Sequence, residues 1–376
     1  MGKEREAFFN AQAAQSTYEP RTQVVIGDRV VGEGQPCFII GEIGANHGGD
    51  LSVACDAITA AKEAGCDAVK FQHITATKIA ADTIIYDEWH GREIGPLSDF
   101  YKSAELLNDW TPKLIQHAKK EGILFLSTPF DTEAVDVLDS AGVAAFKIAS
   151  YELTDDLLVA HVARKGKPVI ISTGMGYLEE VAHAIRVIQE TGNNNIIVLH
   201  CTSMYPPRSY ADLNLRAITT LREACKLPVG YSDHSQPPYV GVPIAAVALG
   251  ACVIEKHFTM PLPTHTSDSP NSLTPYELAN MVREIRLAEE ALSGNGIKQP
   301  VSYEDHAGDE IFDRFTRRSV YALRTIQAGE VLAPDMITTL RPWGGIEPKD
   351  LHLFMGRVLT RTVEARDPLT PDAFFV

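Results

Sequence analysis

This 376-residue chain contains no run of the roughly 18 apolar residues that a membrane-spanning helix needs, so no such helix is expected. Residues 1–20 also lack the basic-then-apolar order of a signal peptide, which points to a cytoplasmic protein. No two cysteines stand in C-x-x-C spacing. Cys37, Cys55, Cys66, Cys201, Cys225 and Cys252 are scattered, mostly inside apolar runs, as expected of buried free thiols in a reducing compartment. Cations are scarce, 34 Lys and Arg against 49 Asp and Glu, for a net charge of -15. That balance argues against nucleic acid as the main partner, and it means that an anionic substrate must be held by local cations. Finally, no G-x-G-x-x-G follows the first apolar run, which removes the usual signature of a dinucleotide-binding open sheet.

What the chain does have is alternation. Apolar runs of strand length fall at 37–43, 68–72, 123–127, 144–149, 168–172, 196–200, 228–232 and 252–257. Helical patterns lie after them at 51–64, 107–121, 132–141, 155–165, 178–191, 213–225, 240–249 and 275–292. Strands that alternate with helices form parallel sheets, and eight such units predict closure into a (β/α)₈ TIM barrel. The spacing divides the chain into a tail and hairpin (1–36), the barrel (37–292), a polar linker (293–312) and a small, mostly β domain (313–376). In the last, short strands or turns are expected at Ser319–Leu323, Ile326–Glu330, Met336–Thr338 and Arg357–Thr362. The stretch 73–106, with Trp89, His90, Arg92 and Tyr101, is long for a barrel loop and carries enough aromatics to be ordered.

In a parallel barrel the C-terminal strand ends converge on one rim. Most of the apolar runs end in residues that can do chemistry: Glu42, Lys70 with Gln72, Ser127 with Thr128, Lys147 with Ser150 and Glu152, Ser172 with Thr173, Ser232 with His234, and Glu255 to His257. Two strings are the most informative, GYSDH (230–234) and IEKHFT (254–259). Each places a histidine at a strand end, where the two imidazoles could share a metal, and Lys256, Glu255 and Ser232 beside them suit a charged substrate. His47, His73 and His200 are expected to be structural, and Cys201 and Thr202 to be packing residues. A lysine in mid-run, such as Lys147, needs a partner once buried. It could be a Schiff-base lysine of an aldolase, but Lys70 and the nearby hydroxyls favour a phosphate seat.

The strings FIIGEIGANHGGD, DAVKFQ, STPFD, FKIASYEL, STGM, LHCTSMYP, GYSDH and IEKHFT occur in this order from about residue 37 onward. Together they resemble the sialic acid synthase family, which includes N-acetylneuraminate, legionaminate and pseudaminate synthases. RRSVYA, I-x-x-G-E and LRPWGGI in the tail resemble the antifreeze-like SAF domain that follows the barrel in that family. The resemblance implies condensation of phosphoenolpyruvate with an N-acetylmannosamine-type sugar and water, giving a nonulosonic acid and phosphate. It implies a divalent metal, Mn2+ or Mg2+, held by His234 and His257. The phosphoenolpyruvate cradle would be Lys70, Thr128, Lys147, Ser150, Ser172, Ser203 and Ser232. Gln72, Tyr205, Asp268 and Arg341 would meet the sugar, and Glu42, Glu152 and Glu255 would handle protons or charge.

In the family, the arginine matching Arg341 comes from a partner subunit, which implies a domain-swapped homodimer. After His257 the family's G-P-D-H-like string is replaced by MPLPTHTSDSPNSL, so the sugar pocket is expected to be reshaped. The acceptor stays open between N-acetylmannosamine, its 6-phosphate and a diacetamido-dideoxy sugar. A synthase of the KDO-phosphate or DAHP type, using a phosphorylated aldose, is a second reading that the SAF-like tail disfavours. A non-catalytic glycan-binding role would predict a degraded rim, and this rim is intact.

Overall fold

The hydrophobic runs become strands where the alternation predicts them. The computed structural model describes residues 21–87, 92–261, 266–294, 296 and 315–374, in two units, Met1–Gly294 and Asn295–Val376. The expected tail (1–20), Trp89 and His90, most of the linker, and residues 262–265 of the segment after His257 lie outside the described residues.

The first unit opens with an antiparallel hairpin, β1 (Gln23–Ile26) and β2 (Arg29–Gly32). Barrel strand β3 (Phe38–Glu42) is followed by helix α1 (Leu51–Glu63), and β4 (Ala68–His73) follows that. The long stretch after β4 has structure of its own: α2 (Ala76–Ile79), a hairpin of β5 (Ile84–Asp87) with β6 (Arg92–Pro96), and α3 (Leu97–Lys102). Next come α4 (Thr111–Glu121), β7 (Leu124–Pro129), α5 (Thr132–Ser140), β8 (Phe146–Ile148), α6 (Asp156–Ala163), β9 (Val169–Ser172) and α7 (Leu178–Glu190). The unit finishes with β10 (Ile196–Cys201), α8 (Ala217–Cys225), β11 (Val229–Asp233), α9 (Gly241–Ala248), β12 (Val253–His257) and α10 (Pro275–Leu292). Strands β3, β4 and β7 to β12 pair in parallel and in order, and β12 pairs with β3 to close the barrel.

Two apolar layers hold the barrel. Because successive side chains alternate between faces, Phe38, Ile40, Ala68, Leu126, Ala145, Ile170, Ile197, Leu199 and Val253 form one buried cluster in the lumen. The hairpin residues Val24, Ile26 and Val31 join it. Residues of the other parity (Ile39, Val69, Phe71, Ile171, Val198 and Ile254) pack outward against the helices. Each such fully buried aliphatic side chain contributes about 1.5–3 kcal/mol. Crowding explains Gly230, where a Cβ would come within 2.6 Å of the Val253 backbone oxygen.

Helix α10 begins with a reciprocal cap between Thr274 and Glu277 and buries Leu278, Met281, Val282 and Ile285, the i, i+3, i+4, i+7 stripe of a core-facing helix. From its last turns Arg286 and Glu289 reach the backbone oxygen and nitrogen of Cys37, tying the last helix to the start of the first barrel strand.

The second unit has its own core of Val320, Ala322, Ile326, Leu332, Ile346, Leu359, Val363, Leu369, Ala373 and Phe374. Its antiparallel pair is β13 (Ser319–Ala322) and β14 (Ile337–Leu340). In the expected segment 357–362, Arg357 and Leu359 exchange backbone hydrogen bonds with Gly329, Glu330 and Leu332 around the isolated antiparallel bridge of Val331 with Val358, a pairing too short to form a named strand. No helix among the described residues is long and apolar enough to cross a membrane.

Candidate active site at the C-terminal rim

The parity that points Phe38 and Ile40 into the lumen also points Glu42 there, one step nearer the C-terminal rim. In the same way Lys70 and Gln72 continue from Ala68, Thr128 from Leu126, Lys147 from Ala145, Ser172 from Ile170, and Glu255 and His257 from Val253. The lumen therefore changes from apolar to charged within one side-chain layer.

Lys70 and Lys147 stand at the centre of that layer. Lys70 Nζ lies 2.8 Å from Glu42 Oε2 and donates to Thr128 Oγ1 at 3.1 Å. Lys147 Nζ donates to Ser172 Oγ at 2.6 Å and to the Ile148 carbonyl at 3.1 Å. Between them is Glu255, 3.7 Å from Lys70 and 3.9 Å from Lys147, accepting a 2.8 Å hydrogen bond from Ser232. Glu42 Oε1 accepts from Gln72 at 2.8 Å. Beside Lys147, Ser150 Oγ accepts from Gly174 N at 3.0 Å, and a Cβ on Gly174 would come within 2.5 Å of Ser203 Oγ, so glycine leaves room for that hydroxyl.

The buried charges settle one another unequally. Burial works against the charge on both lysines. At Lys70 the Glu255 and Glu42 carboxylates outweigh it and the pKa is raised; at Lys147 burial wins, assisted by Lys70, and the pKa is lowered. Glu42 is pushed up to about 7 by burial, which Lys70 only partly offsets and Glu255 reinforces. Glu255 would also rise on burial alone, but Lys147 and Lys70 overcome it and hold it as the carboxylate, well below the usual range. Glu152, on the turn after β8, is likewise raised to about 7 by burial against the pull of Lys147, and its Oε2 is buried without a hydrogen-bond partner.

The two histidines meet at the edge of this cluster, with ring centroids 5.4 Å apart. His234 Nδ1 is 3.0 Å from the Thr202 carbonyl oxygen, which can only accept, so that nitrogen is the donor and Nε2 is the ring atom left for a ligand. His257 is lowered in pKa chiefly by burial, and its buried Nδ1 has no hydrogen-bond partner, with Asp268 Oδ2 at 3.9 Å. The Tyr205 ring packs 4.0 Å from His234 and edge-on to His257 at 6.2 Å. Asp268 is anchored by the Ala45 amide at 2.8 Å, and Gly44, at a φ of +52°, must lack a Cβ because one would fall 2.2 Å from Asp268 Oδ2. Two facing imidazoles, one of them with an unpartnered buried nitrogen, could serve as two ligands of a divalent ion, and a hard ion such as Mn2+ or Mg2+ would need oxygen donors beside them. Among the described residues no three His, Cys, Asp or Glu side chains gather closely enough to hold an ion alone. Water or substrate oxygens would complete its shell.

Fifteen of the sixteen sequence-predicted site residues thus belong to the barrel unit, at or just beyond its strand ends. Arg341 belongs to the second unit, where its Nε donates to the Thr316 carbonyl at 2.6 Å. Lys256 does not serve the pocket as expected. It has the opposite parity to Glu255 and His257, faces outward, and is fully buried against Asp233 at 2.9 Å. His73 is held between Ser127 and Thr111, and His200 bonds the Leu213 carbonyl, both outside the lumen as expected. Sequence reasoning missed two features. Cys201 Sγ lies 3.7 Å from His234 Nδ1, and Thr202 acts through its carbonyl, a group every residue has, so no side-chain signal could have marked it.

The family model for the NeuB family matches residues 57–298, and that for the SAF domain matches 317–374. The chain is 40% identical over 342 residues to an N,N'-diacetyllegionaminic acid synthase of Legionella pneumophila, covering 89% of this chain and 93% of that protein. It is 36% identical over 343 residues to a pseudaminic acid synthase of Campylobacter jejuni, covering 90% and 96%. Among solved structures, the N-acetylneuraminic acid synthetase of Leptospira borgpetersenii, in complex with citrate, superposes with a TM-score of 0.67 at 32% identity, covering 77% of this chain and 96% of that one.

Proposed function

The chain belongs to the NeuB family, and from that premise we propose that it condenses phosphoenolpyruvate with an N-acetylmannosamine-type sugar and water, yielding a nonulosonic acid and phosphate. The observation that carries the reading is the pairing of two buried lysines with hydroxyls on one rim that also carries two facing imidazoles.

Lys70 and Lys147, with Thr128, Ser150, Ser172, Ser203 and Ser232, hold the carboxylate and phosphate of phosphoenolpyruvate and offset charge that develops as the phosphate leaves. Gln72, Tyr205 and Asp268 orient the sugar above it. In the reaction C3 of phosphoenolpyruvate bonds to the sugar's aldehyde carbon, water adds at C2, and the C2–O bond to phosphate breaks. His234 and His257 would hold the metal; when bound, it supplies Lewis-acid polarisation of the carbonyl. Glu42 and Glu152 are the proton-handling groups, because burial raises both to about 7, which suits transfer near neutrality. Glu255 stays ionised and keeps the lysines charged.

The SAF unit presents Arg341 to the barrel of a second copy, in a homodimer with swapped domains. Mixing the inactive variants Arg341→Ala and Lys147→Met then restores about a quarter of wild-type activity, since half the sites in heterodimers carry no lesion; no recovery places Arg341 in its own subunit's site or outside it. Six free cysteines fit a reducing cytoplasm as the place of reaction.

The test of the reaction is phosphate release from phosphoenolpyruvate with manganese and a panel of acceptors. Release with an N-acetylmannosamine or a diacetamido-dideoxy hexose supports the reading. Release with arabinose 5-phosphate and with no mannosamine derivative overturns it.

A further inference from the structure

Behind the rim, on the outward face of β11 and β12, lies an ion pair that the chemistry above does not use. Asp233 and Lys256 are both fully inaccessible to solvent, 2.9 Å apart. They are also register partners, on the last paired rung of the two strands, and each immediately precedes one of the two histidines. We infer that this pair is a register lock that fixes His234 and His257 against each other, making Asp233 and Lys256 positioning residues for the metal seat. The inference rests on the metal reading above.

Three observations carry it. The first is parity: a one-residue slip between β11 and β12 would bring Lys256 into the lumen and turn His257 out of it, and a charge pair on the last rung resists that slip. The second is the turn after His234. Ser235 donates its backbone N–H to Asp233 Oδ1 at 2.9 Å and its hydroxyl to Asp233 Oδ2 at 2.8 Å. Its carbonyl accepts from Lys256 Nζ at 2.5 Å. The residue after His234 is therefore bound to both members of the pair, so the turn that presents the imidazole is tied to the neighbouring strand.

The third observation is energetic. A buried ion pair stabilises little compared with apolar side chains of the same size, and its best-attested use is to specify register. With no access to solvent or lumen, this pair has no route to substrate.

The experiment uses the full chain and free Mn2+ measured by electron paramagnetic resonance. The double variant Asp233→Asn/Lys256→Met removes both charges without stranding either. It is expected to fold, to bind Mn2+ about tenfold more weakly than wild type, and to bind phosphoenolpyruvate in calorimetry as wild type does. A folded double variant with wild-type Mn2+ affinity overturns the lock and leaves the metal reading intact. If wild type itself binds no Mn2+, the metal reading falls and the lock with it. Should the double variant not fold, Asp233→Asn, which keeps the side-chain shape and removes the charge that pairs with Lys256, takes its place: several-fold weaker Mn2+ binding supports the lock, and unchanged binding overturns it.

Discussion

Two kinds of buried lysine occur within a few ångströms of the same barrel wall. Lys256 has a carboxylate at 2.9 Å that is itself satisfied by Ser235, and neither partner sees solvent. Lys147 has a hydroxyl at 2.6 Å, but its carboxylate, Glu255, is 3.9 Å away and shared with Lys70. The outer pair is a closed unit in which every charge is answered. The inner cluster is open, with two ammonium groups competing for one ionised carboxylate while Glu42 is driven towards its neutral form. Burial is common to both; what separates the two lysines is unanswered charge. A trianionic substrate would complete the inner cluster and has nothing to offer the outer one.

The comparison can be broken at either end. The largest effect is expected from Lys256→Met alone, which strands Asp233 as an unpaired buried charge and should cost about 3–5 kcal/mol in denaturant unfolding. Lys147→Met should cost much less stability while abolishing turnover, because Glu255 keeps Lys70 and Ser232. Equal losses for the two substitutions would erase the distinction.

A smaller effect is expected at Glu152. Its folded pKa of about 7 lies above its ordinary 4.5, so the native state holds a proton that the unfolded chain has released between these values. The stability that this contributes is present at low pH and is lost as pH rises through the window. Relative to wild type, Glu152→Gln should therefore gain stability from about pH 5 to about pH 8, read as melting temperature. A constant difference would show that Glu152 has an ordinary pKa.

Much of this was legible in the chain. The eight strands announced themselves because apolar runs bounded by helical patterns have few other solutions, and polar residues ending those runs marked the rim. The position of Lys256 was also within reach: if Glu255 and His257 face the lumen, strand parity forbids the residue between them from doing so. Proximity in sequence to two site residues concealed that. Other features were beyond reach. The hairpin β5–β6 inside the long segment after β4 depends on pairing that no local pattern fixes. The carbonyl of Thr202 orients His234 through the backbone, which carries no residue-specific signal. Asp268 reaches the site because its carboxylate is anchored on the Ala45 amide of a loop far away in sequence.

The most direct test of the open cluster is calorimetric binding of phosphoenolpyruvate, without acceptor, to wild type and to Lys70→Met, Lys147→Met and Asp233→Asn/Lys256→Met. The account predicts one site per chain in wild type and in the double variant, and loss of binding by about a hundredfold or more in each inner-wall variant, as expected for a charged partner removed from a buried anion seat. Undiminished binding to Lys147→Met, with binding lost in the outer-pair variant, would contradict it.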